Sequence, residues 1–451
     1  MNDLKNLEYF KKYKSVTTNL DTADADSITF YRVKSEKDLP QFEKRLSKSK
    51  CELVFVTAHR DLSYQNVQLL TADEFVIKQK ELVELFYPIL PKTKICGITG
   101  TNGKTTVVHL CNSLAAIFDK QTMSIGTLGV IDQNGRTIEE INTTTPSYID
   151  LRRIVSTYQH QYDAFFLEVS SHGLEQGRIS GIEFSAAAWV SFSQDHLDYH
   201  KTMDEYFSSK QKILNYLRKN VEVFVPSLEI ELFKRLSKEK QVVIAERLEV
   251  YGLSNLKGIF NVSYNRNNLE IALSIVNKLW KINKNINCKT LSLPPGRFSL
   301  LEKDNCKVVI DYAHTPNALE NICHAVKSEY PDSFLITVFG CGGDRDPKKR
   351  PLMGAAAELH SDLLIITSDN PRSEEPIEII NQILKGISED KNKIIEVDRA
   401  LAITIALEYK SESNCDYLII IAGKGHEAYQ EIKGVKMPFS DFAIVEKKWN
   451  I

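Results

Sequence analysis

The chain has 451 residues, which is too long for one hydrophobic core and predicts two to four domains. Its hydrophobic content of 43% and its charged content of 26% are typical of a soluble globular protein. Lys and Arg total 57 against 59 Asp and Glu, so the net charge of −2 predicts neither a nucleic-acid partner nor binding to an anionic membrane.

The sequence predicts no targeting or membrane segment. The N-terminal residues lack the apolar core of a signal peptide, and no stretch approaches the roughly 18 apolar residues that span a bilayer. The eight cysteines are scattered without a C-x-x-C pair, which favours buried free thiols in a reducing compartment. We therefore expect a cytoplasmic protein without membrane insertion.

Residues 1–92 mix short apolar runs with charged, helix-permissive stretches. The runs at 27–31 and 52–57 predict strands. Two prolines in residues 88–94 interrupt any regular element, which predicts a linker. We expect a small α/β domain that ends near residue 92.

Residues 93–296 alternate strand-like and helix-like segments. The apolar runs at 164–170 and 186–192 predict parallel strands that are covered on both faces. Polar side chains follow each run, Ser170 after the first and Asp195 with His196 after the second. Because ligands bind at the carboxyl ends of strands in open α/β sheets, these side chains are expected to share one site.

Strand-like and helix-like segments alternate again in residues 297–451, which predicts a second doubly wound domain. Helix-like stretches such as 400–409 separate the expected strands. The strands are predicted at 307–312, 334–339, 363–367, 393–397 and 417–422.

A glycine-rich stretch marks the start of the central region. It runs Gly100-Thr101-Asn102-Gly103-Lys104-Thr105-Thr106, between a strand-like pair and a helix-like segment. Such a turn presents backbone N–H groups to a phosphate, Lys104 can reach the β- and γ-phosphates, and the Thr105 hydroxyl can bind Mg²⁺. The spacing departs from G-x-x-x-x-G-K-[ST], and an ordinary Gly/Asn turn is the alternative. We expect ATP binding.

Magnesium prefers hard oxygen ligands, and two residues near the strand ends are candidates. Glu168 stands at the end of one predicted strand, and His196 follows the next. A buried glutamate near a strand end is otherwise a helix cap or a salt-bridge partner. On spacing alone, His196 ranks below Glu168 as a ligand for so hard an ion.

Six motifs resemble the Mur ligase family, in the same order and over roughly residues 94–440. They are Gly-Thr-Asn-Gly-Lys-Thr at 100–105, Glu-Val-Ser-Ser-His-Gly-Leu at 168–174, Asp-His-Leu-Asp-Tyr-His at 195–200, Asp-Tyr-Ala-His-Thr-Pro at 311–316, Gly-Gly-Asp-Arg-Asp at 342–346 and Asp-Asn-Pro-Arg at 369–372. The resemblance is greatest to members that add diaminopimelate.

The resemblance implies an α/β fold of three domains. Residues 1–92 would form a small, shortened α/β domain for the UDP-sugar, and residues 93–296 a central P-loop, doubly wound ATPase domain. Residues 297–451 would form a C-terminal Rossmann-like domain for the amino acid. A monomer is expected, with small molecules rather than nucleic acid as partners.

The resemblance also implies a reaction in peptidoglycan synthesis, and thus a role in cell shape and division. An ATP-dependent ligase would add meso-2,6-diaminopimelate to the D-Glu carboxylate of UDP-N-acetylmuramoyl-L-Ala-D-Glu. ATP would first convert the carboxylate to an acyl-phosphate. Phosphate is a far better leaving group than oxide, which makes this activation chemically sensible.

Residue roles carry over from the motifs as implications of the resemblance. Lys104, Glu168, His196 and a carbamylated Lys210 would be catalytic. Glu168, His196 and Lys210 would share one Mg²⁺, and Thr105 would take part in binding a second. ATP would also be bound by Asn261, Arg297, Asp311 and His314, and the acceptor by Thr144, Thr145, Ser170, Gln176 and Arg178.

The amino acid would be bound by Arg345, Asp369, Asn370, Pro371, Arg372, Gly423 and Glu427. Diaminopimelate carries an ammonium and a carboxylate at its far end, whereas lysine carries only the ammonium. A bidentate arginine favours the carboxylate, so Arg345 and Arg372 are the expected clamps. The Gly423 carbonyl and Glu427 would face the ammonium.

Simpler interpretations of two arginines remain open. Arg372 could pair with Glu374 or Glu375 on its own loop. Arg178 could form a surface ion pair with Glu175 or Glu183.

Three segments depart from the family pattern. The usual Asp-Ser-Arg near the first strand corresponds to 28–33 here, Pro-Gly-Arg-Met-Glu becomes Pro-Gly-Arg-Phe-Ser at 295–299, and the second asparagine of Phe-Asn-x-x-Asn is displaced within 260–268. Two other functions therefore stay open: a Mur-type ligase for a non-UDP acceptor or another amino acid, and a nucleotide-binding protein without ligase activity.

Overall fold

The computed structural model describes residues 7–58, 62, 64–141, 143–236, 238–239, 241–253, 258–260, 262–282, 291–409 and 416–450. In this part of the chain, three main sheets built mostly of parallel strands follow one another, with helices between the strands. The predicted α/β class is confirmed. The proposed domain boundaries at 92/93 and 296/297 stay predictions.

The first sheet is parallel, with the strand order β1-β2-β3-β4. Both predicted strands form here, and aromatic side chains fill the core: Phe30 stacks on Phe55 and meets the edge of Phe75, each at 5.2 Å between ring centroids. The elements are α1 Leu7–Phe10, β1 Ser15–Thr17, β2 Ser27–Arg32, α2 Leu39–Leu46, β3 Leu53–Thr57, β4 Val67–Leu69 and α3 Ala72–Phe86.

The second sheet has the order β12-β11-β10-β5-β9-β6-β7-β8, and only β7 and β8 pair antiparallel to their neighbours. Its elements are β5 Lys94–Thr99, α4 Lys104–Ile117, β6 Thr122–Gly126, β7 Gly129–Asp132, β8 Thr137–Glu139, α5 Tyr148–Tyr158, β9 Ala164–Glu168, α6 Ser171–Glu175, β10 Ala186–Trp189, α7 Leu197–His200, α8 Met203–Gln211, β11 Val223–Val225, α9 Ile230–Leu236, β12 Val242–Ile244 and α10 Ser263–Trp280.

Strand β5 lies between β9 and β10, and all three run in the same direction. Their carboxyl ends therefore meet at one edge of the sheet, as the sequence predicts. The strands are almost wholly apolar and buried because helices cover both faces.

The third sheet has the order β13-β14-β18-β15-β16-β17, parallel except for β13. A two-stranded hairpin, β19 and β20, follows it. The elements are β13 Ser299–Lys303, β14 Cys306–Asp311, α11 Pro316–Glu329, β15 Phe334–Phe339, α12 Lys349–Glu358, β16 Leu363–Ile366, α13 Pro376–Leu384, β17 Lys393–Ile395, α14 Arg399–Glu408, β18 Tyr417–Ala422, β19 Tyr429–Ile432, β20 Val435–Pro438 and α15 Asp441–Trp449.

Two sequence expectations concern the thiols and the membrane. Cys51, Cys96, Cys111, Cys306, Cys323 and Cys341 are free thiols, whereas Cys288 and Cys415 lie outside the described residues. Among the helices that the structure describes, none is long and apolar enough to cross a bilayer.

The linker between the first two sheets is held by one amide side chain. Gln159, buried at the end of α5, accepts hydrogen bonds from the Leu90 backbone N–H at 2.8 Å and the Thr93 hydroxyl at 3.0 Å. Its Nε2 donates to the Pro88 carbonyl at 2.9 Å. Because prolines interrupt regular structure here, this amide supplies partners for the Leu90 N–H and the Pro88 carbonyl that a helix or sheet would otherwise provide.

We expect Gln159→Ala to lower the free energy of unfolding by about 1–3 kcal/mol, because buried linker groups lose their partners. Chemical denaturation of both proteins measures the difference. Gln161→Ala, an exposed glutamine two residues on, is the matched control and should stay within about 0.5 kcal/mol of the unaltered protein. Equal stability of the two variants would contradict this role for Gln159.

Candidate active site

The glycine-rich loop connects β5 to α4, as the sequence predicts. Gly103 has φ +85, a left-handed conformation that favours glycine, and a Cβ there would come 2.7 Å from both Asn268 Oδ1 and Val190 Cγ1. Lys104 begins α4, and its Nζ donates to the carbonyls of Gly100 and Thr101 at 2.8 and 2.9 Å. The loop thus folds around the Lys104 amine, which the sequence analysis predicts to bind phosphate.

Glu168 is buried at the end of β9, beside the start of α4. Its carboxylate accepts hydrogen bonds from the Thr105 hydroxyl at 2.9 Å, the Thr127 backbone N–H at 2.9 Å and the Thr127 hydroxyl at 3.2 Å. Burial raises its pKa, although the nearby Lys104 cation opposes the shift. The same burial lowers the pKa of Lys104. Glu168 therefore takes part in the site and caps no helix.

Lys210 is a buried lysine on α8, with 1% of its surface exposed. Its Nζ donates to the Gly100 carbonyl at 2.8 Å, the same oxygen that Lys104 contacts. Burial, reinforced by the Lys104 cation, holds the pKa of Lys210 well below its usual range. The structure thus places this lysine against the glycine-rich loop rather than in solvent.

Asp195 connects the central sheet to the third one. It lies 3.4 Å from Lys349 Nζ, 3.8 Å from His314 Nε2 and 3.5 Å from His196 Nε2. Burial opposes the charge, but Lys349 and His196 together hold the pKa of Asp195 below its usual range. Burial lowers the pKa of His196 to about 3, so its imidazole is neutral and can act as a ligand.

Arg297 reaches the glycine-rich loop from the other side. Its guanidinium lies 4.3 Å from the centre of the Tyr312 ring, and Nη2 donates to the Thr105 hydroxyl at 3.4 Å. Burial lowers the pKa of His314 to about 4. Asp311 accepts backbone N–H groups of Phe298 and Ala313, both at 2.7 Å, and fixes the turn that carries Arg297.

The expected acceptor residues form one hydrogen-bonded group beside Glu168. Thr145 Oγ1 bonds to the Glu168 carbonyl at 2.9 Å and lies 3.0 Å from Ser170 Oγ. Arg178 donates to the Thr145 carbonyl at 2.7 Å and to Gln176 Oε1 at 2.7 and 3.0 Å. Thr144 joins them through Thr127, at 3.2 Å. Arg178 therefore makes these contacts rather than the surface ion pair with Glu175 or Glu183.

The expected amino-acid residues cluster at the carboxyl ends of the third sheet. Arg372 has φ +51, and its Nη1 donates to the Gly343 carbonyl at 2.7 Å. Its Nε lies 3.4 Å from Glu431 on β19, so the arginine pairs with neither Glu374 nor Glu375. Glu374 instead pairs with Arg350 at 2.8 Å.

One cavity of about 390 Å³ connects these groups. Of the sequence-predicted residues, it is lined by Thr101, Asn102, Gly103, Lys104, Thr105, Thr106, Thr144, Glu168, His196, Arg297, Asp311, His314, Arg345, Asp369, Asn370, Arg372, Gly423 and Glu427. Gly100, Thr145, Ser170, Gln176, Arg178, Lys210 and Pro371 are not among its lining residues, and Asn261 lies outside the described residues.

Comparison with known proteins agrees with this geometry. The family model for the Mur ligase middle domain matches residues 98–301, and the model for the Mur ligase, glutamate ligase domain matches 296–425. The UDP-N-acetylmuramoyl-L-alanyl-D-glutamate–2,6-diaminopimelate ligase of Aquifex aeolicus is 38% identical over 423 residues, covering 87% of this chain and 85% of that protein. The chain belongs to the Mur ligase family.

Solved structures support the same assignment. A structure of a UDP-N-acetylmuramoyl-L-alanyl-D-glutamate–2,6-diaminopimelate ligase is similar with a TM-score of 0.53 and 27% identity, covering 97% of this chain and 95% of that one. The fold is also that of the MurF ligase from Thermotoga maritima, with a TM-score of 0.62, 14% identity and coverage of 92% and 94%.

Sequence reasoning missed two asparagines of this Mur ligase. Asn265 and Asn268, on the first turns of α10, line the cavity, and Asn268 abuts Gly103. They keep the Asn-x-x-Asn spacing that the family pattern requires, four residues beyond Asn261. This spacing is the sequence signal for them, although Phe260 stands directly before Asn261 and not before Asn265.

The residues of this site fit Mg²⁺ bound together with a nucleotide. Thr105 and Glu168 offer oxygen donors at the end of the glycine-rich loop, and the charges of Lys104 and Arg297 both act to lower the pKa of the buried Glu168 carboxyl. Among the described residues, no group of three or more His, Cys, Asp or Glu side chains is arranged for a metal. Such an ion would therefore take further ligands from phosphates, as Mg²⁺ commonly does.

We expect Gly126→Ala to lower the ligase rate by about 100-fold, because misplacing a catalytic group by about an ångström has this effect. A methyl group at position 126 would overlap the Glu168 carboxylate. Steady-state ADP release with acceptor and amino acid measures the loss. Gly135→Asn is the control, because nothing lies within 4 Å of a Cβ there and asparagine tolerates its φ of +80. Full activity of Gly126→Ala would show that Glu168 needs no fixed position.

Proposed function

We propose that this chain is the ATP-dependent ligase that joins meso-2,6-diaminopimelate to the D-Glu carboxylate of UDP-N-acetylmuramoyl-L-Ala-D-Glu in peptidoglycan synthesis. The observation that carries the proposal is a single cavity lined by the glycine-rich loop and by Asp369, Arg372 and Glu427. Membership of the Mur ligase family and a relative of that name support it. A cytoplasmic location and a monomeric state stay predictions.

The first step activates the acceptor. A carboxylate oxygen attacks the γ-phosphorus of ATP, an O–P bond forms, and ADP leaves with the bridging oxygen. Negative charge on the phosphoryl oxygens must be stabilised. Lys104 stands next to Thr105 at the start of α4, and Arg297 donates to the Thr105 hydroxyl, so both cations could supply this charge. Because the site is buried, these charges act with little screening by solvent.

Four side chains would hold magnesium near the transferred group: Glu168, His196 and a carbamylated Lys210 would share one ion, and Thr105 would take part in binding a second. When bound, the ion neutralises phosphate charge and orients the γ-phosphoryl group. Carbamylation requires a neutral amine, and the lowered pKa of the buried Lys210 supplies one. The modified side chain carries oxygen donors in place of a cation, which suits a hard metal.

The second step forms the amide. The neutral amine of the amino acid attacks the acyl carbon, a C–N bond forms, and inorganic phosphate leaves. Thr145, Ser170 and Arg178 would hold the acceptor beside Glu168, where they form a continuous hydrogen-bonded group. The amine must come from the third sheet, whose residues line the opposite wall of the same cavity.

The choice of amino acid rests on Arg372. The Gly343 carbonyl accepts from Nη1 of the Arg372 guanidinium and Glu431 lies 3.4 Å from Nε, while the structure shows no protein partner for Nη2 within the described residues. The β19 strand also fixes the backbone, since Arg372 N–H donates to the Glu431 carbonyl at 3.1 Å and the Lys433 N–H donates to the Arg372 carbonyl at 2.7 Å. A positioned arginine of this kind favours a carboxylate on the substrate.

A second candidate is a Mur-type ligase for an acceptor without UDP. Tyr31 packs on Phe42 at 5.0 Å between ring centroids, and Arg32 lies 4.5 Å over the Phe75 ring. Both side chains of the altered segment thus contact their own domain. Equal affinity for acceptors with and without UDP would favour this candidate, whereas at least tenfold tighter binding of the UDP form would exclude it.

We expect Arg372→Asn to lower kcat/KM for diaminopimelate about 30-fold or more, because the carboxylate at the far end of the substrate loses the guanidinium that would pair with it. Asparagine tolerates the left-handed backbone at this position. Phosphate release with diaminopimelate or with L-lysine measures the effect. Arg247→Asn, an exposed arginine, is the control. Phosphate release by the unaltered protein with lysine but not diaminopimelate would refute the proposed substrate.

A further inference from the structure

Lys424 is a wholly buried cation behind the part of the cavity that Asp369, Gly423 and Glu427 line, which we call the amino-acid wall. Its side chain has 0% exposure and is not among the residues that line the cavity. The preceding residue, Gly423, and the nearby Glu427 do line it. A lysine is almost never fully buried without charged partners, so its contacts require an explanation.

The partners of Lys424 are the cavity's own polar groups. Its Nζ lies 3.0 Å from Asn370 Oδ1, 3.1 Å from Glu427 Oε2 and 3.5 Å from Asp369 Oδ1. Glu427 Oε2 also accepts from Asn370 Nδ2 at 3.0 Å. Asp369 Oδ1 is buried without any hydrogen-bond partner among the described residues, so Lys424 is its nearest compensating charge.

These contacts set the net charge of the group formed by Asp369, Glu427 and Lys424. Asp369 and Glu427 share one lysine, so the group carries one net negative charge instead of two. Arg399, a buried cation whose charge acts on Asp369 and Glu427, is neutralised by Asp441 at 2.8 Å, both side chains having 0% exposure. Arg399 therefore cannot replace Lys424 as the compensating charge.

We propose that Lys424 is a specificity-determining residue, which acts through Asp369 and Glu427 to reject amino acids that end in a bare ammonium. The inference rests on the proposed function. The far end of diaminopimelate has an ammonium and a carboxylate, so its net charge is zero. The far end of L-lysine has a net charge of +1. Adding one negative charge to the wall therefore attracts lysine and leaves the attraction for diaminopimelate nearly unchanged.

The test compares kcat/KM for meso-diaminopimelate and L-lysine in the full-length protein. We expect Lys424→Met to shift the ratio of the two values toward lysine by about tenfold or more, as one charge in a buried site would do. Lys424→Arg keeps the charge and should keep the ratio of the unaltered protein. Lys385→Met removes an exposed lysine from the same domain and should also keep the ratio.

A purely structural role predicts another result. It lowers both values of kcat/KM equally and leaves their ratio unchanged, and that outcome overturns the proposal. If Lys424→Met does not fold, Lys424→Gln removes the charge but keeps an amide for Asn370 and Glu427, and the same shift in ratio is expected. Failure of the unaltered protein to use diaminopimelate would instead refute the proposed function.

Discussion

The hydrogen bond between the Thr105 hydroxyl and the Glu168 carboxylate is the contact around which the site is built. It joins the first turn of α4 to the end of β9, the two elements beside the carboxyl end of β5. Glu168 is buried, so its charge must be balanced within the site. Lys104 balances it on one side, and a metal bound with the nucleotide would do so on the other.

The third sheet completes this site from across the cavity. Arg297 donates to Thr105, Lys349 pairs with Asp195, and the Asn102 amide donates to the Thr315 hydroxyl at 3.1 Å. Each contact joins a residue of the central region to a residue of the C-terminal region. The groups proposed to activate the acceptor and those proposed to bind the amino acid thereby line one cavity.

Both ends of this cavity carry charges of both signs. Lys104, Arg297 and Glu168 line it at the glycine-rich loop, where phosphate is expected, and Asp369 and Glu427 line it beside Arg372. Lys424 and Glu431 lie just behind or beside these groups and adjust their charge and orientation. The amino-acid pocket therefore depends on residues beyond those that the substrate would touch.

Much of the fold was predictable because its strands are nearly continuous apolar runs between glycine- and proline-containing turns. The strands β9, β10 and β14 were predicted from this pattern, and the carboxyl ends of β9 and β10 flank that of β5. Contacts between distant segments were not predictable. The Lys349–Asp195 ion pair and the hydrogen bonds from the linker to Gln159 join residues that are far apart in the sequence, so no local sequence pattern indicates them. The short strands β1, β4 and β13 were missed, because three to five residues carry too little periodicity.

The buried Lys424 shows the same difficulty. A lysine between two glycines suggests an exposed loop, and only the fold brings Asp369 and Asn370 to it from 54 residues away in sequence or more. Asn268 was likewise missed although its spacing was present, because the approach of its side chain to Gly103 depends on how α10 packs on α4.

The most direct test of the central claim follows one oxygen atom through the reaction. The acceptor is prepared with ¹⁸O in the D-Glu carboxylate that forms the amide, and the products are analysed by mass spectrometry after reaction with ATP and meso-diaminopimelate. Activation through an acyl-phosphate predicts one ¹⁸O atom in each released phosphate and none in ADP. Unlabelled phosphate, or consumption of ATP without an amide product, would contradict the account.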